Sequence, residues 1–188
     1  NVLKGEKGVQ AIKTALEAGY RLNDTAQSYH NEAEVGKAIK ESGLPREEIF
    51  LTTKITDENQ GYQMALDSVQ VSLEKLQTET IDLLLVHWPN TEDFSKSIET
   101  FQALIDLREK GIVSTIGVSN YTPKLIQETI DATHVVPPVN QVEFHPFLFQ
   151  EDLLAYCRER EIRIESYCPI ARAEKINAPV LQRLSEKY

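Results

Sequence analysis

Apolar runs rich in β-branched residues recur at 21–25, 49–54, 81–87, 114–119, 139–144 and 163–168, and segments of helical period separate them. This alternation constrains the fold more than any other feature of the chain. The first run begins at 21 and the sixth at 163, five steps of about 28 residues each, the length of a strand–helix unit in a parallel sheet. Tyr62, Leu66, Val69, Leu73 and Leu76 share one helical face, as do Val9, Ile12 and Leu16, and Ile98, Phe101 and Ile105. The predicted class is therefore α/β, a single domain over residues 1–188, with two candidate architectures. One is an open doubly wound sheet, which as a dinucleotide binder carries GxGxxG after its first strand; no such run is present. The other is a (β/α)₈ TIM barrel. A typical barrel of about 250 residues uses about 31 per unit, so this length holds about six of the eight units.

Charge and cysteine content narrow the function. The chain carries 20 Lys and Arg against 29 Asp and Glu, a formal charge of -9. That balance argues against nucleic acid as a partner. The longest apolar runs, such as Leu83 to Val86, fall far short of the roughly 18 residues needed to span a bilayer, and the opening NVLKGEKGVQAIK lacks the layout of a secretory leader. Cys157 and Cys168 form neither a CxxC pair nor a metal-ligand set. A reducing, cytoplasmic setting is expected, without membrane association. No feature of the sequence specifies an oligomeric state.

Polar side chains close the apolar runs, and in a barrel the carboxyl ends of the strands form the functional face. Asp24 ends the first with Tyr29 in the loop beyond it, Lys54 the second, His87 the third, Ser119 and Asn120 the fourth, and Ser166 and Tyr167 the sixth; Gln141 and Glu143 lie in the fifth. A protonatable group that closes an apolar run is poorly solvated, the condition under which pKa values are tuned. Taken singly, each has a plainer reading: Asp24 as a helix cap, Tyr29 as a surface aromatic, Lys54 as a solvated charge, His87 as a satisfied core histidine. Four such residues in order at one rim point to chemistry.

The segments NDTAQSYHNEAEVG, FLTTK, LLLVHWP, IGVSNY, VNQVEFHP and SYCPI resemble the aldo-keto reductase family in order and spacing, over essentially the whole chain. The resemblance implies a (β/α)₈ barrel that binds a nicotinamide cofactor without a Rossmann domain, NADPH in preference to NADH. It places a catalytic tetrad on Asp24, Tyr29, Lys54 and His87. It assigns the nicotinamide to Ser119, Asn120, Gln141 and Tyr167, and it sets Cys168 and Ile170 beside the pyrophosphate, where the family more often has Ser and Leu. Trp88 matches a residue lining the substrate mouth, and His30, next to Tyr29, is a second candidate for substrate contact. The family also has strand and loop before Asn1 and barrel strands after Tyr188, so the barrel is expected to be incomplete at both ends.

The chemistry follows from the residue types. Hydride delivery to a carbonyl carbon leaves an alkoxide that needs a proton, and a tyrosine supplies it if its pKa falls from about 10 toward neutrality. A Lys54 charge about 4 Å away lowers it by about three units at most. Asp24 pairs with Lys54, and a neutral His87 donates a hydrogen bond to the carbonyl oxygen. Glu143 and His145 alone are too few to hold a metal, and none is expected. Asn23, flanked by Leu22 and Asp24, faces the helix layer if Asp24 faces inward, and needs a partner there. The expected function is carbonyl reduction on small aldehydes or ketones. The short loop 55–61 resembles that of bacterial members acting on diketogluconate or methylglyoxal. The alternative is a nicotinamide-binding redox sensor or accessory subunit of the same fold.

Overall fold

The computed structural model describes residues 4–188. Strands and helices alternate as α1 (Gly5–Glu17), β1 (Leu22–Asp24), α2 (Glu32–Ser42), β2 (Phe50–Ile55), α3 (Tyr62–Leu76), β3 (Ile81–Val86), α4 (Phe94–Glu109), β4 (Val113–Ser119), α5 (Pro123–Thr133), β5 (Val139–Glu143), α6 (Glu151–Glu159), β6 (Arg163–Tyr167) and α7 (Pro179–Lys187). All six strands predicted from the apolar runs are present, each within one or two residues of the predicted ends.

Local chemistry explains where the helices start and stop. Asp93 accepts from the Ser95 backbone N–H at 3.1 Å to cap α4, and the Thr122 hydroxyl accepts from Leu125 N–H at 3.4 Å ahead of Pro123 in the first turn of α5. Gly19 and Gly111 follow α1 and α4 at φ 96° and 72°, the left-handed exit in which a side chain is strained.

The strands pair in parallel in the order β1-β2-β3-β4-β5-β6. Sequence order equals spatial order, as one-way winding requires, and the doubly wound alternative is excluded. One face of the sheet packs against the helices through Leu51, Ile55, Leu84, Val86, Ile116 and Val118, which meet Val69, Leu73, Phe101 and Leu104. Each such residue, fully buried, contributes about 1.5–3 kcal/mol. Gly36 lets α2 approach the end of α3, because a Cβ there would sit 2.5 Å from the Leu76 carbonyl carbon.

The other face is the inner one, and its apolar cluster is small: Leu83, Leu85 and Val139. Gly117 lies between them, and a Cβ on it would come 2.6 Å from the Val139 carbonyl oxygen and 2.8 Å from Leu85. The sheet curls strongly about this face. In a flat sheet β1 and β5 stand four spacings of about 4.8 Å apart. Yet Gln141 on β5 donates to Asp24 on β1 at 2.7 Å.

Among the described residues β1 pairs only with β2 and β6 only with β5, so the sheet keeps two free edges. The closed ring of eight is thus not reached; six units of a curled parallel sheet are. Asn23, in register with Leu51, lies on the helix-facing side as expected, and it is half-exposed with the Arg21 carbonyl, at 3.5 Å, as its partner. No helix of the described residues is long and apolar enough to cross a membrane.

Candidate active site

Parallel register brings the polar strand ends together. Asp24 pairs with Thr52, Lys54 with Leu85, Leu85 with Gly117, Ser119 with Gln141, and Gln141 with Glu165. Paired residues in a parallel ladder share a face, so Asp24, Lys54, Ser119, Gln141 and Glu165 all project to the inner side. They meet at a cleft of about 680 Å³ lined by Asp24, Tyr29, His87, Trp88, Ser119, Asn120, Gln141, Glu143, Glu165, Tyr167 and Cys168 among others. That volume lies within the usual range for small-molecule sites.

Lys54 lies beneath the cleft at 1% side-chain exposure. Its ammonium donates to Asp24 Oδ1 and, at 3.0 Å, to the Thr25 carbonyl. It also sits 5.2 Å from the centre of the Tyr29 ring. Tyr29 is the last residue of a short 3₁₀ turn after β1, and its ring meets His87 edge-on with centroids 5.7 Å apart. Ser28 Oγ lies 3.3 Å from His87 Nδ1.

The pKa shifts agree with one expectation and correct another. Burial, then the Lys54 charge, push His87 down from 6.5 to about 4, against the opposing pull of Asp24. The ring is therefore neutral at pH 7, as expected. Tyr29 moves the other way: burial, and then the Asp24 carboxylate, raise its pKa rather than lower it. The expected lowering treated Lys54 as a lone charge, whereas the adjacent carboxylate offsets it and burial penalises the phenolate.

The His87 shift yields a prediction. Between pH 6.5 and about 4 the unfolded chain accepts a proton that the folded ring refuses. Its contribution to stability is therefore complete above 6.5 and is lost as pH falls through 4. An NMR titration of the His87 ring should show a midpoint near 4. A midpoint at the ordinary value of about 6.5 would mean that the ring is solvated instead.

On the far side of the cleft the amides are interlocked. Asn120 donates to the His87 carbonyl and to Ser119 Oγ, both at 3.0 Å, and accepts from the Tyr167 hydroxyl at 2.9 Å. Ser119 Oγ donates to the Gln141 backbone carbonyl at 2.8 Å. Gln141 Nε2 donates to Asp24 Oδ2 at 2.7 Å and to Glu165 Oε1 at 2.8 Å.

Two candidates lie elsewhere. His30, at φ 53°, lines a neighbouring cavity with Gln27, Glu32 and Ser68, because the left-handed residue ends the 3₁₀ turn and leads the chain away from Tyr29. Ile170 is 62% exposed and is not among the residues lining the cleft. Glu143 and His145 form a pair at 3.4 Å, and among the described residues no group of three metal-ligating side chains occurs. Sequence reasoning missed Glu165 and Ser28. The signal for Glu165 was available: two residues before Tyr167 on a strand, it shares the inward face. Ser28 carries no such mark, since only the fold brings it to His87.

Comparison with known proteins bears on the family and the fold. The 2,5-diketo-D-gluconic acid reductase B of Corynebacterium sp. (strain SHS752001) is 43% identical over 187 residues, 99% of this chain and 67% of that protein. The glyoxal reductase of Bacillus subtilis (strain 168) is 40% identical over 187 residues, 100% of this chain and 67% of that protein. Among solved structures, Gox0644, as a mutant in complex with NADPH, superposes with a TM-score of 0.90 at 36% identity, over 97% of this chain and 65% of that one. The chain thus spans about two thirds of the length of these relatives. A model described as the aldo/keto reductase family matches residues 2–174, and with the side chains at the strand ends gathered as they are, the chain belongs to that family.

Proposed function

We propose that the whole protein reduces aldehydes and ketones to alcohols with NADPH, that it completes a (β/α)₈ barrel, and that Tyr29 protonates the carbonyl oxygen. The observation that carries this reading is the buried Lys54–Asp24 pair seated against the Tyr29 ring, with the neutral His87 edge-on to the same ring at the cleft. The relative solved with NADPH supports the cofactor. So does the chemistry of the cleft. Gln141 Oε1 and the second lone pair of Asn120 Oδ1 suit the N–H groups of a carboxamide, and the Tyr167 ring offers a face for a flat heterocycle. Its hydroxyl bond to Asn120 fixes the plane of that ring.

Bound NADPH supplies a hydride to the carbonyl carbon. The protein's own residues deal with the oxygen. The Tyr29 hydroxyl holds its proton at any working pH, because its pKa is raised. An alkoxide is a much stronger base than a phenolate, so the oxygen takes that proton as its charge develops. The phenolate left behind faces the Lys54 ammonium, whose place beneath the ring is fixed by Asp24 and the Thr25 carbonyl. Neutral His87 keeps one N–H, and a Ser28 hydroxyl donated to Nδ1 directs that proton to Nε2, as a donor to the substrate oxygen.

The glyoxal reductase relative supports small dicarbonyls as the substrate class. The test is NADPH consumption by the intact protein with methylglyoxal and with a simple aromatic aldehyde, followed by nicotinamide absorbance. Steady consumption with at least one of them is expected. Binding of NADPH without turnover on either would sink the reductase reading.

A further inference from the structure

The geometry points to Glu165 as a positioning residue that sets the direction of the Gln141 amide and, through it, the affinity for the nicotinamide half of the cofactor. The inference rests on the cleft being the nicotinamide site.

Glu165 lies on β6 in register with Gln141 on β5, and both side chains project to the inner face. A primary amide has two N–H donors and one carbonyl acceptor. Both donors of Gln141 are taken by carboxylates, Asp24 at 2.7 Å and Glu165 at 2.8 Å. A carboxylate accepts only, so two of them around one amide leave a single orientation: nitrogen toward the acids, Oε1 toward the remaining side. Among the described residues nothing donates to that oxygen, and Gln141 lines the cleft. The amide is thus presented as an acceptor, matched to the N–H groups of a carboxamide.

Asp24 alone does not secure this. It holds one of the two N–H groups while its other oxygen takes the Lys54 ammonium. With Glu165 removed, the second N–H of a side chain that is 5% exposed has no acceptor. A buried donor left so seeks another partner, and rotation of the amide brings nitrogen into the cleft, where it repels a carboxamide N–H. Glu165 itself is half-buried in the cleft wall, and among the described residues the one hydrogen bond to its carboxylate comes from Gln141, the route by which it acts.

The test compares Glu165→Leu with Glu165→Gln in the intact protein. A glutamine keeps an acceptor oxygen at the same reach, and a leucine does not. NADPH affinity is read from nicotinamide fluorescence. Adenosine 2′,5′-bisphosphate, which has the adenosine half without the nicotinamide, serves as the control ligand. Side-chain amide NMR signals of Gln141 report the hydrogen bonds directly. In Glu165→Leu the Kd for NADPH is expected to rise about tenfold with the control ligand unaffected. One Gln141 amide proton should also move upfield and exchange faster, while Glu165→Gln stays near the parent on all three readouts. The inference is overturned if Glu165→Leu binds NADPH as the parent does, if both ligands weaken together, or if Glu165→Gln fails as badly as Glu165→Leu. A parent that binds no NADPH overturns the cofactor reading and this inference together, an outcome distinct from failure of the Glu165 role alone.

Discussion

Replacing Tyr29 by phenylalanine is expected to lower kcat for carbonyl reduction by about 10²–10⁴-fold, the usual worth of a general acid, and to leave NADPH affinity within about twofold of the parent. The substitution removes one oxygen and keeps the ring. The edge-on contact with His87 at 5.7 Å and the seat above Lys54 both survive it, so packing changes little. Lys54 and Asp24 retain each other and the Thr25 carbonyl. Loss of turnover with binding retained would therefore isolate the proton-donating role. A variant that keeps at least a tenth of the parental rate would remove Tyr29 from the mechanism, and His87, the next protonatable group at the cleft, would have to take its place.

The largest expected effect on stability comes from the same cluster. Asp24→Leu leaves the Lys54 ammonium, 1% exposed, with a single backbone carbonyl as partner. Removal of one member of a buried pair costs about 3–5 kcal/mol, and the lower end applies here because the Asp24 side chain is 29% exposed and water reaches it. Gln141 loses one of its two acceptors at the same time. Urea unfolding of the intact protein should show a loss of about 3 kcal/mol. The double variant Asp24→Leu with Lys54→Met should recover much of that loss, because it removes the stranded charge as well. A single variant within about 1 kcal/mol of the parent would show that water already solvates the ammonium.

The strands were legible because each is an apolar run bounded by turn residues, and Asp24, Lys54 and His87 stood out because they close such runs. Their order along the chain was enough to place them on one rim. The count of six units was legible from the spacing of the runs and the length, whereas the strong curl of the sheet was not, since a strand carries no mark of how far its sheet bends. Glu165 and Ser28 acquire their roles from partners far off in sequence: Gln141 on the adjacent strand and His87 fifty-nine positions away. The direction of the Tyr29 shift escaped for a related reason. A cation was visible in the sequence, but the position of its counter-charge, and the depth at which the phenol sits, exist only in the fold. His30 shows the converse. Adjacent to Tyr29 in sequence, it is carried into a different cavity by one left-handed residue.

The hydrogen bond from Gln141 to Asp24 spans 117 positions of chain. Closing a loop of that length costs about 4 kcal/mol in chain entropy before any contact repays it. Neighbouring strands meet over far shorter intervals, so β1 through β5 can assemble stepwise, each on the last, with the Asp24 carboxylate still lacking its amide. Only when the fifth strand has docked and the sheet has bent does the cleft take its shape. Such long-range contacts raise the contact order and slow folding. Carbonyl-reducing competence should therefore emerge late during refolding, after most of the helical signal has returned, and the last contact made would be one that the chemistry itself uses.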